Sequence, residues 1–378
     1  MKIDKYTAIL GNVGASSLDM GSLTKNRPLA TLPFDGKYRL MDFQLSSIAN
    51  SGIRSVYAIF GGDKVRSVFD HVRSGRVWGL NTLLSHYFPS FLEEREDYQL
   101  ADREYYDQLL TYLKCSGSDQ TIYMPFDILC NINLEQLIHI HTANGGKLTV
   151  VYKKLPKRQI SEVNEILQID DTDTVVGKLG LEDIQEIGPM NADIYVVDTP
   201  WLIEKLEEEA GKEKLRKICF VLRDLLVESQ ALAFEHSGYL ANINSVEDYY
   251  EANMDMLDPQ KFYALFYGDQ KIYTKVKNEE ATYFDVDSRI RNSQFASGSI
   301  IKGAVEHSVV GRNCLVDEGA TIKWSVISPK VRIYQNATIE YAIIDKNVDV
   351  PEGVTLRGSE DHLLVIGKGQ EITGDIIQ

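Results

Sequence analysis

The chain has 378 residues, 44% of them apolar, which is enough for two or three domains with cores of their own. Its formal charge is −15 and no run of Lys or Arg forms a stripe, so neither nucleic acid nor an anionic membrane is expected as a partner. Four scattered cysteines (Cys115, Cys130, Cys219, Cys314) form no C-x-x-C pair, no apolar stretch approaches about 18 residues, and no signal-peptide pattern opens the chain; a reduced, cytoplasmic protein is expected.

Up to about residue 257, strand and helix patterns alternate. Short apolar runs rich in β-branched and aromatic residues predict strands at Thr7–Leu10, Ser55–Phe60, Thr121–Met124, Leu148–Tyr152 and Asp193–Val197. Helices are predicted at Met41–Asn50, Asp63–Val72, Leu134–Ala143 and Pro200–Ala210, with Leu134, Leu137, Ile138 and His141 on one face. Alternation of this kind predicts an α/β domain, Rossmann-like, with a mostly parallel sheet and ligands above the strands' C-terminal ends.

The first strand runs into a glycine-containing turn, with Gly11 and Gly14 as candidates for close backbone approach to a phosphate. Any tight turn between strand and helix favours glycine, so the turn alone does not decide the matter. Arg27, Lys37 and Arg39 follow within thirteen residues and are candidate phosphate partners, although solvated loop charges would look the same.

Residues 258–287 carry Pro259, Gly268 and several tyrosines and read as a connector into the final domain, 288–378. There, steps of six, six and five residues reach Val310, Val316, Ile322, Ile327, Ile333, Ile339, Ile344, Val350 and Leu356. All are Val, Ile or Leu, where the overall 44% would place about four apolar residues of any kind. Two residues before each stand Ser308, Cys314, Ala320, Ser325, Val331, Ala337, Ala342, Val348 and Val354, none of them large or charged. A period near 17 built from three short strands predicts a left-handed parallel β-helix.

Phe34-Asp35-Gly36-Lys37-Tyr38-Arg39-Leu40-Met41-Asp42-Phe43, with Leu45-Ser46 and Asn50-Ser51-Gly52-Ile53 after it, resembles the N-terminal motif of the glucose-1-phosphate adenylyltransferases, or ADP-glucose pyrophosphorylases. Gly238-Tyr239 and Tyr249-Tyr250-Glu251-Ala252-Asn253-Met254-Asp255-Met256-Leu257 resemble a later motif of that family, and a C-terminal β-helix is the family's arrangement too. The resemblance thus spans nearly the whole chain. It implies a nucleotidyltransferase-like domain over 1–257 and chemistry that joins ATP and glucose 1-phosphate into ADP-glucose and pyrophosphate, with Mg²⁺ as the family's cofactor.

The departures from the family pattern fall where that chemistry is done. The family's glycine-rich loop carries an arginine for the triphosphate; here stand Ala15, Ser16 and Ser17, and no Arg or Lys precedes Lys25 in that turn. Leu29 stands where the family has a lysine. The metal-binding aspartate of one motif is kept as Asp127, but the next acidic position is Asn133, and the second metal aspartate aligns with Asn242, followed by Asn244-Ser245. Nucleotidyl transfer builds negative charge on a leaving pyrophosphate, which Mg²⁺ and fixed cations stabilise. Each lost contact is worth about 3 kcal/mol, by analogy with removing one oxyanion donor.

That set of losses resembles the noncatalytic GlgD-type branch. It implies a regulatory subunit joined to a catalytic subunit in a hetero-oligomer, as a heterotetramer, with a sugar phosphate or nucleotide as effector. Asp127 would then be a vestigial catalytic and metal residue, and Gly11, Gly14, Arg27, Lys37 and Arg39 residual substrate contacts. The alternatives are an active adenylyltransferase or related sugar-phosphate nucleotidyltransferase, and, less well matched, a β-helix acyltransferase. The acyltransferase lacks a histidine within the coil, since His307 precedes the rhythmic run and His362 follows it.

Overall fold

A computed structural model describes residues 5–11, 20–62, 64–73, 75–82, 85–92, 97–268 and 270–378. By its contacts the chain divides into two compact units. One comprises 1–18, 41–244 and 265–273; the other comprises 19–40, 245–264 and 274–378. No helix among the described residues is long and apolar enough to cross a membrane.

The first unit is built on a nine-stranded sheet. Tyr6–Gly11 lies between Ser55–Gly61 and Gln120–Pro125, parallel to both, and His86–Leu92 extends the parallel part to an edge. The long strand Ile187–Asp198 pairs antiparallel with Gln120–Pro125 and with Leu148–Pro156, and Leu232–Glu235 adds to the latter in parallel. All five strand expectations lie inside observed strands.

Helix Leu134–Asn144 buries Leu134, Leu137, Ile138 and His141, the face that the spacing predicts. It begins at Asn133, whose side chain accepts the Gln136 N–H, and ends at Gly145 with φ 66°. Asn133, an acidic position in the family, therefore has a local capping role. Helix Arg103–Ser116, capped by Asp102, covers the sheet with Tyr105, Tyr106, Leu109 and Leu113 buried. These residues join Ile9, Tyr123, Tyr195 and Leu222 in one apolar core.

The second unit carries the left-handed parallel β-helix. Its strands stack in three parallel sheets that begin at Tyr283–Phe284, Arg289–Arg291 and Gln294–Phe295. All nine positions of the six-six-five walk are buried, from Val310 to Leu356, and so are the small residues two before them. The stack of aliphatic side chains forms one continuous core that also takes in Ile366 and Ile372.

Two features fix the coil. Ser308 Oγ accepts the Ser325 N–H at 3.1 Å, and Ser325 Oγ accepts the Ala342 N–H at 3.1 Å, so inward hydroxyls link successive turns. The corners need left-handed backbone, supplied at one corner by Asn313, Lys330 and Asn347 and at another by Gly319, Asn336 and Gly353. The third corner holds His307, Trp324 and Tyr341, whose rings stack at 4.2 Å and 6.1 Å between centroids. In the same unit, Tyr250 in helix Val246–Asp255 donates its hydroxyl to the Trp324 carbonyl at 2.8 Å.

Candidate functional site

In the first unit, the strand Gln120–Pro125 ends beside Gly11, whose carbonyl accepts the Phe126 N–H at 2.8 Å. A side chain at position 11 would meet the Tyr123 hydroxyl at 3.2 Å, so the turn is closely packed at its first residue. Gly14 and the Ala15–Ser17 substitutions lie outside the described residues.

Asp127 follows directly, at the C-terminal end of that parallel strand. The short strands Ile128–Cys130 and Leu240–Asn242 pair antiparallel, with Asn242 opposite Ile128, and the Asp127 carbonyl accepts the Ile243 N–H at 2.8 Å. The backbone thus brings Asp127 and Asn242 together although they are far apart in sequence. Both side chains are buried, and one oxygen of each, Oδ1, has no hydrogen-bond partner. Burial, and then the neighbouring Asp193 carboxylate, push the Asp127 carboxyl up to about 7.

A divalent ion would meet one half-protonated carboxylate and one neutral amide here. No group of three or more His, Cys, Asp or Glu side chains among the described residues could hold a metal. Mg²⁺ is usually held by one or two carboxylates together with substrate phosphates, so a single carboxylate whose burial favours its protonated form fits it poorly.

Asp193 adds a feature that the strand pattern did not reveal. It sits at φ 51° where the register of Ile187–Asp198 shifts, between Asn191 and Ile194. Arg223, from helix Ile218–Glu228, holds both of its carboxylate oxygens, and the Tyr195 hydroxyl donates to it at 2.8 Å. Asn191 in turn donates to Tyr195 and to Glu165. The carboxylate that helps to raise Asp127 is therefore committed to a guanidinium.

Arg27, Lys37 and Arg39 belong to the second unit. Arg27 is buried, donates to the Leu23 carbonyl at 3.0 Å and is ion-paired with Asp345 of the coil. Lys37 is exposed, with its ammonium 5.1 Å from the centre of the Tyr38 ring. It follows a turn in which Asp35 and Gly36 are both left-handed (φ 47° and 62°), and the Asp35 N–H donates to Asn253. Burial pushes the Asp35 carboxyl up to about 8, against the pull of Lys37. Arg39 donates to the Thr31 carbonyl at 3.4 Å.

Arg39 also belongs to a gathering of cations within this unit. Lys346 is pushed down to about 6 by burial and by Arg39 and Arg27, with Lys277 adding to the effect and Asp345 opposing it. Burial, then Arg312, Arg39 and Lys330, hold Lys277 below the usual lysine range, while Glu279 opposes. The two carboxylates that oppose are already paired, Asp345 with Arg27 and Glu279 with Arg312. Arg39, Lys277 and Lys346 stand near enough to one another for their charges to interact, and a group of cations of this kind suits a small polyanion. The sequence motifs do not point to Lys277, Arg312, Lys330 or Lys346. Their signal was the 17-residue period, since Arg312, Lys330 and Lys346 fall at or beside one repeated corner.

Comparison with known proteins agrees with this architecture. Residues 20–175 match the family model for nucleotidyl transferases, and residues 277–362 match that for the GlmU-like C-terminal hexapeptide region. The chain is 30% identical to the glycogen biosynthesis protein GlgD of Bacillus subtilis (strain 168), over 80% of this chain and 78% of the relative. It is also 30% identical to the GlgD protein of Geobacillus stearothermophilus, over 79% of this chain and 78% of that one. The glucose-1-phosphate adenylyltransferase of Clostridium perfringens (strain SM101 / Type A) is 26% identical, over 85% of this chain and 84% of its own. With a nucleotidyltransferase domain, a hexapeptide coil and this degree of identity, the chain belongs to the glucose-1-phosphate adenylyltransferase family of glycogen biosynthesis, in its GlgD-type branch.

Proposed function

We propose that this chain is a regulatory subunit with impaired catalysis, and that it acts on a catalytic partner making ADP-glucose and pyrophosphate from ATP and glucose 1-phosphate. The observation that carries the reading is the placement of Asn242 opposite Ile128, next to Asp127, in the pairing of Ile128–Cys130 with Leu240–Asn242. One carboxylate, raised to about 7, is kept, and an amide stands where the resemblance calls for a second carboxylate. Such a site gives weak purchase on Mg²⁺ and little stabilisation to a leaving pyrophosphate. The partner follows from the resemblance, as a hetero-oligomer and specifically a heterotetramer.

The cation group around Lys346 and Lys277 supports an anionic effector, a sugar phosphate or a nucleotide, bound by the second unit. A regulatory chain needs such a site more than it needs a catalytic one. The retained Asp127 favours the second reading, an active adenylyltransferase, only if Asn242 and substrate phosphates complete a metal shell.

Mixing decides between a regulatory and an independent role. The chain is titrated into a catalytic subunit of the same family while ADP-glucose formation is followed, and the mixture is run on a sizing column. A rise in rate or in apparent substrate affinity that saturates at a fixed ratio, with co-elution, is expected. An unchanged rate at excess chain, with separate elution, contradicts the proposal.

A further inference from the structure

In the first unit, a cavity of about 750 Å³ opens between the edge strand His86–Leu92 and the helix Arg103–Ser116. Ser55 and His86 on its lining begin their strands and pair in register, whereas Asp127 follows the C-terminal end of Gln120–Pro125 in the same parallel set. The cavity is thus placed towards the opposite end of the strands from Asp127. Its volume falls within the range of small-molecule sites.

One wall is a belt of aromatic rings. Alternation along the edge strand turns His86, Phe88 and Ser90 to one face. The His86 and Phe88 rings stack at 5.9 Å between centroids, Phe88 meets Tyr112 edge-on at 5.8 Å, and Tyr112 stacks on Tyr57 at 4.9 Å. The hydroxyls of this wall are already engaged. Tyr112 shares hydrogen bonds with Thr7 and Ser55, and Tyr57 and Ser90 both donate to the Gln108 side chain. The belt therefore offers a ligand ring surface more than hydrogen bonds, and Phe88 is 48% exposed.

The other wall is the outer face of the helix, where Asp107, Thr111 and Cys115 recur four residues apart. Asp107 is exposed and makes no ion pair among the described residues. The cations of its helix are engaged elsewhere, Arg103 with the Ala210 carbonyl and Lys114 with Glu207. Glu104 accepts a hydrogen bond from Gln108 and adds a second negative charge one turn before Asp107. No Lys or Arg stands among the described lining residues, so a phosphate finds no counter-charge here. An unpaired carboxylate beside aromatic rings attracts an organic cation twice over, through its own charge and through the ring faces.

We propose that this cavity binds an organic cation, with a ring-sized apolar body lying against the Phe88–Tyr112 belt and an ammonium group paired with Asp107. The site uses none of the groups around Asp127 or Lys346, so it is independent of the catalytic state proposed above.

Calorimetric titration of the full chain with tryptamine is expected to show one saturable site. Tryptophol, the same rings with a hydroxyl in place of the ammonium, should bind about tenfold more weakly, and the anion indole-3-acetate weaker still. Asp107→Asn and Phe88→Ala should each weaken tryptamine about tenfold, while Asp171→Asn, exposed in the same unit, should leave its affinity unchanged. Asp107 and Phe88 lie outside the buried core, so thermal unfolding of each variant should match that of the parent chain, which verifies the fold. Absence of saturable tryptamine binding, equal affinity for tryptophol, or binding indifferent to both lining substitutions would overturn the proposal.

Discussion

The Asp193 carboxylate is held at both oxygens by Arg223, Nε to Oδ1 at 2.8 Å and Nη2 to Oδ2 at 2.6 Å, with both side chains nearly buried. Removing one member strands the other without a counter-charge. Arg223→Met should therefore cost about 3–5 kcal/mol of stability. The double variant Arg223→Met with Asp193→Gly should cost clearly less than the two single changes added together, because each single change strands a buried charge and the double change strands none. Urea unfolding of the four proteins measures this coupling.

Asp127 gives a pH signature. Its pKa rises from 3.8 in the ordinary state to about 7 on folding, so the folded chain holds that proton more tightly than the unfolded one. The ionised group is a burden that is absent below the unfolded pKa, grows as pH rises towards 7 and is complete above it. Asp127→Asn should then stabilise the chain near pH 8 by up to about 4 kcal/mol, and by almost nothing near pH 4. Denaturant midpoints at the two pH values test the difference.

Within the coil, Ser325 serves two turns at once. Its hydroxyl accepts the Ala342 N–H at 3.1 Å and donates to the Lys323 carbonyl at 2.7 Å. Ser325→Ala keeps the small volume but leaves a buried N–H without a partner, at a cost of about 1–3 kcal/mol. Thermal unfolding should show a lowered midpoint, with circular dichroism at low temperature unchanged.

In the proposed anion site, Lys346 would link effector binding to protons. Its folded pKa near 6 lies well below the usual 10.5, so Lys346 itself is mostly neutral near pH 7.5. A bound phosphate favours the ammonium form, and binding should take up a proton. Affinity for a sugar phosphate should rise as pH falls from 8 towards 6, and Lys346→Met should flatten that dependence. Calorimetry in two buffers of different ionisation enthalpy reads the proton directly.

The coil was legible in the sequence because its inward side chains are set by one local rule repeated every 17 residues. Val310 to Leu356 are buried as that rule requires. The helix Leu134–Asn144 was legible for the same reason, since its face is a matter of spacing. Asp193 and Arg223 were not, because they meet through a register shift and a helix packing that no short window contains. Arg27 read as a phosphate ligand from residue type alone. Its pairing with Asp345, 318 residues away, depends on where the segment 19–40 folds. Asp127 and Asn242, named from separate sequence motifs, come to neighbouring positions through the antiparallel pairing of Ile128–Cys130 with Leu240–Asn242.

The most direct measurement is pyrophosphate release by the isolated chain, given ATP, glucose 1-phosphate and Mg²⁺. A regulatory subunit with one buried, half-protonated carboxylate should release no more than an enzyme-free control. Steady turnover comparable to that of a catalytic family member would contradict the reading of Asp127 and Asn242 as a silent site.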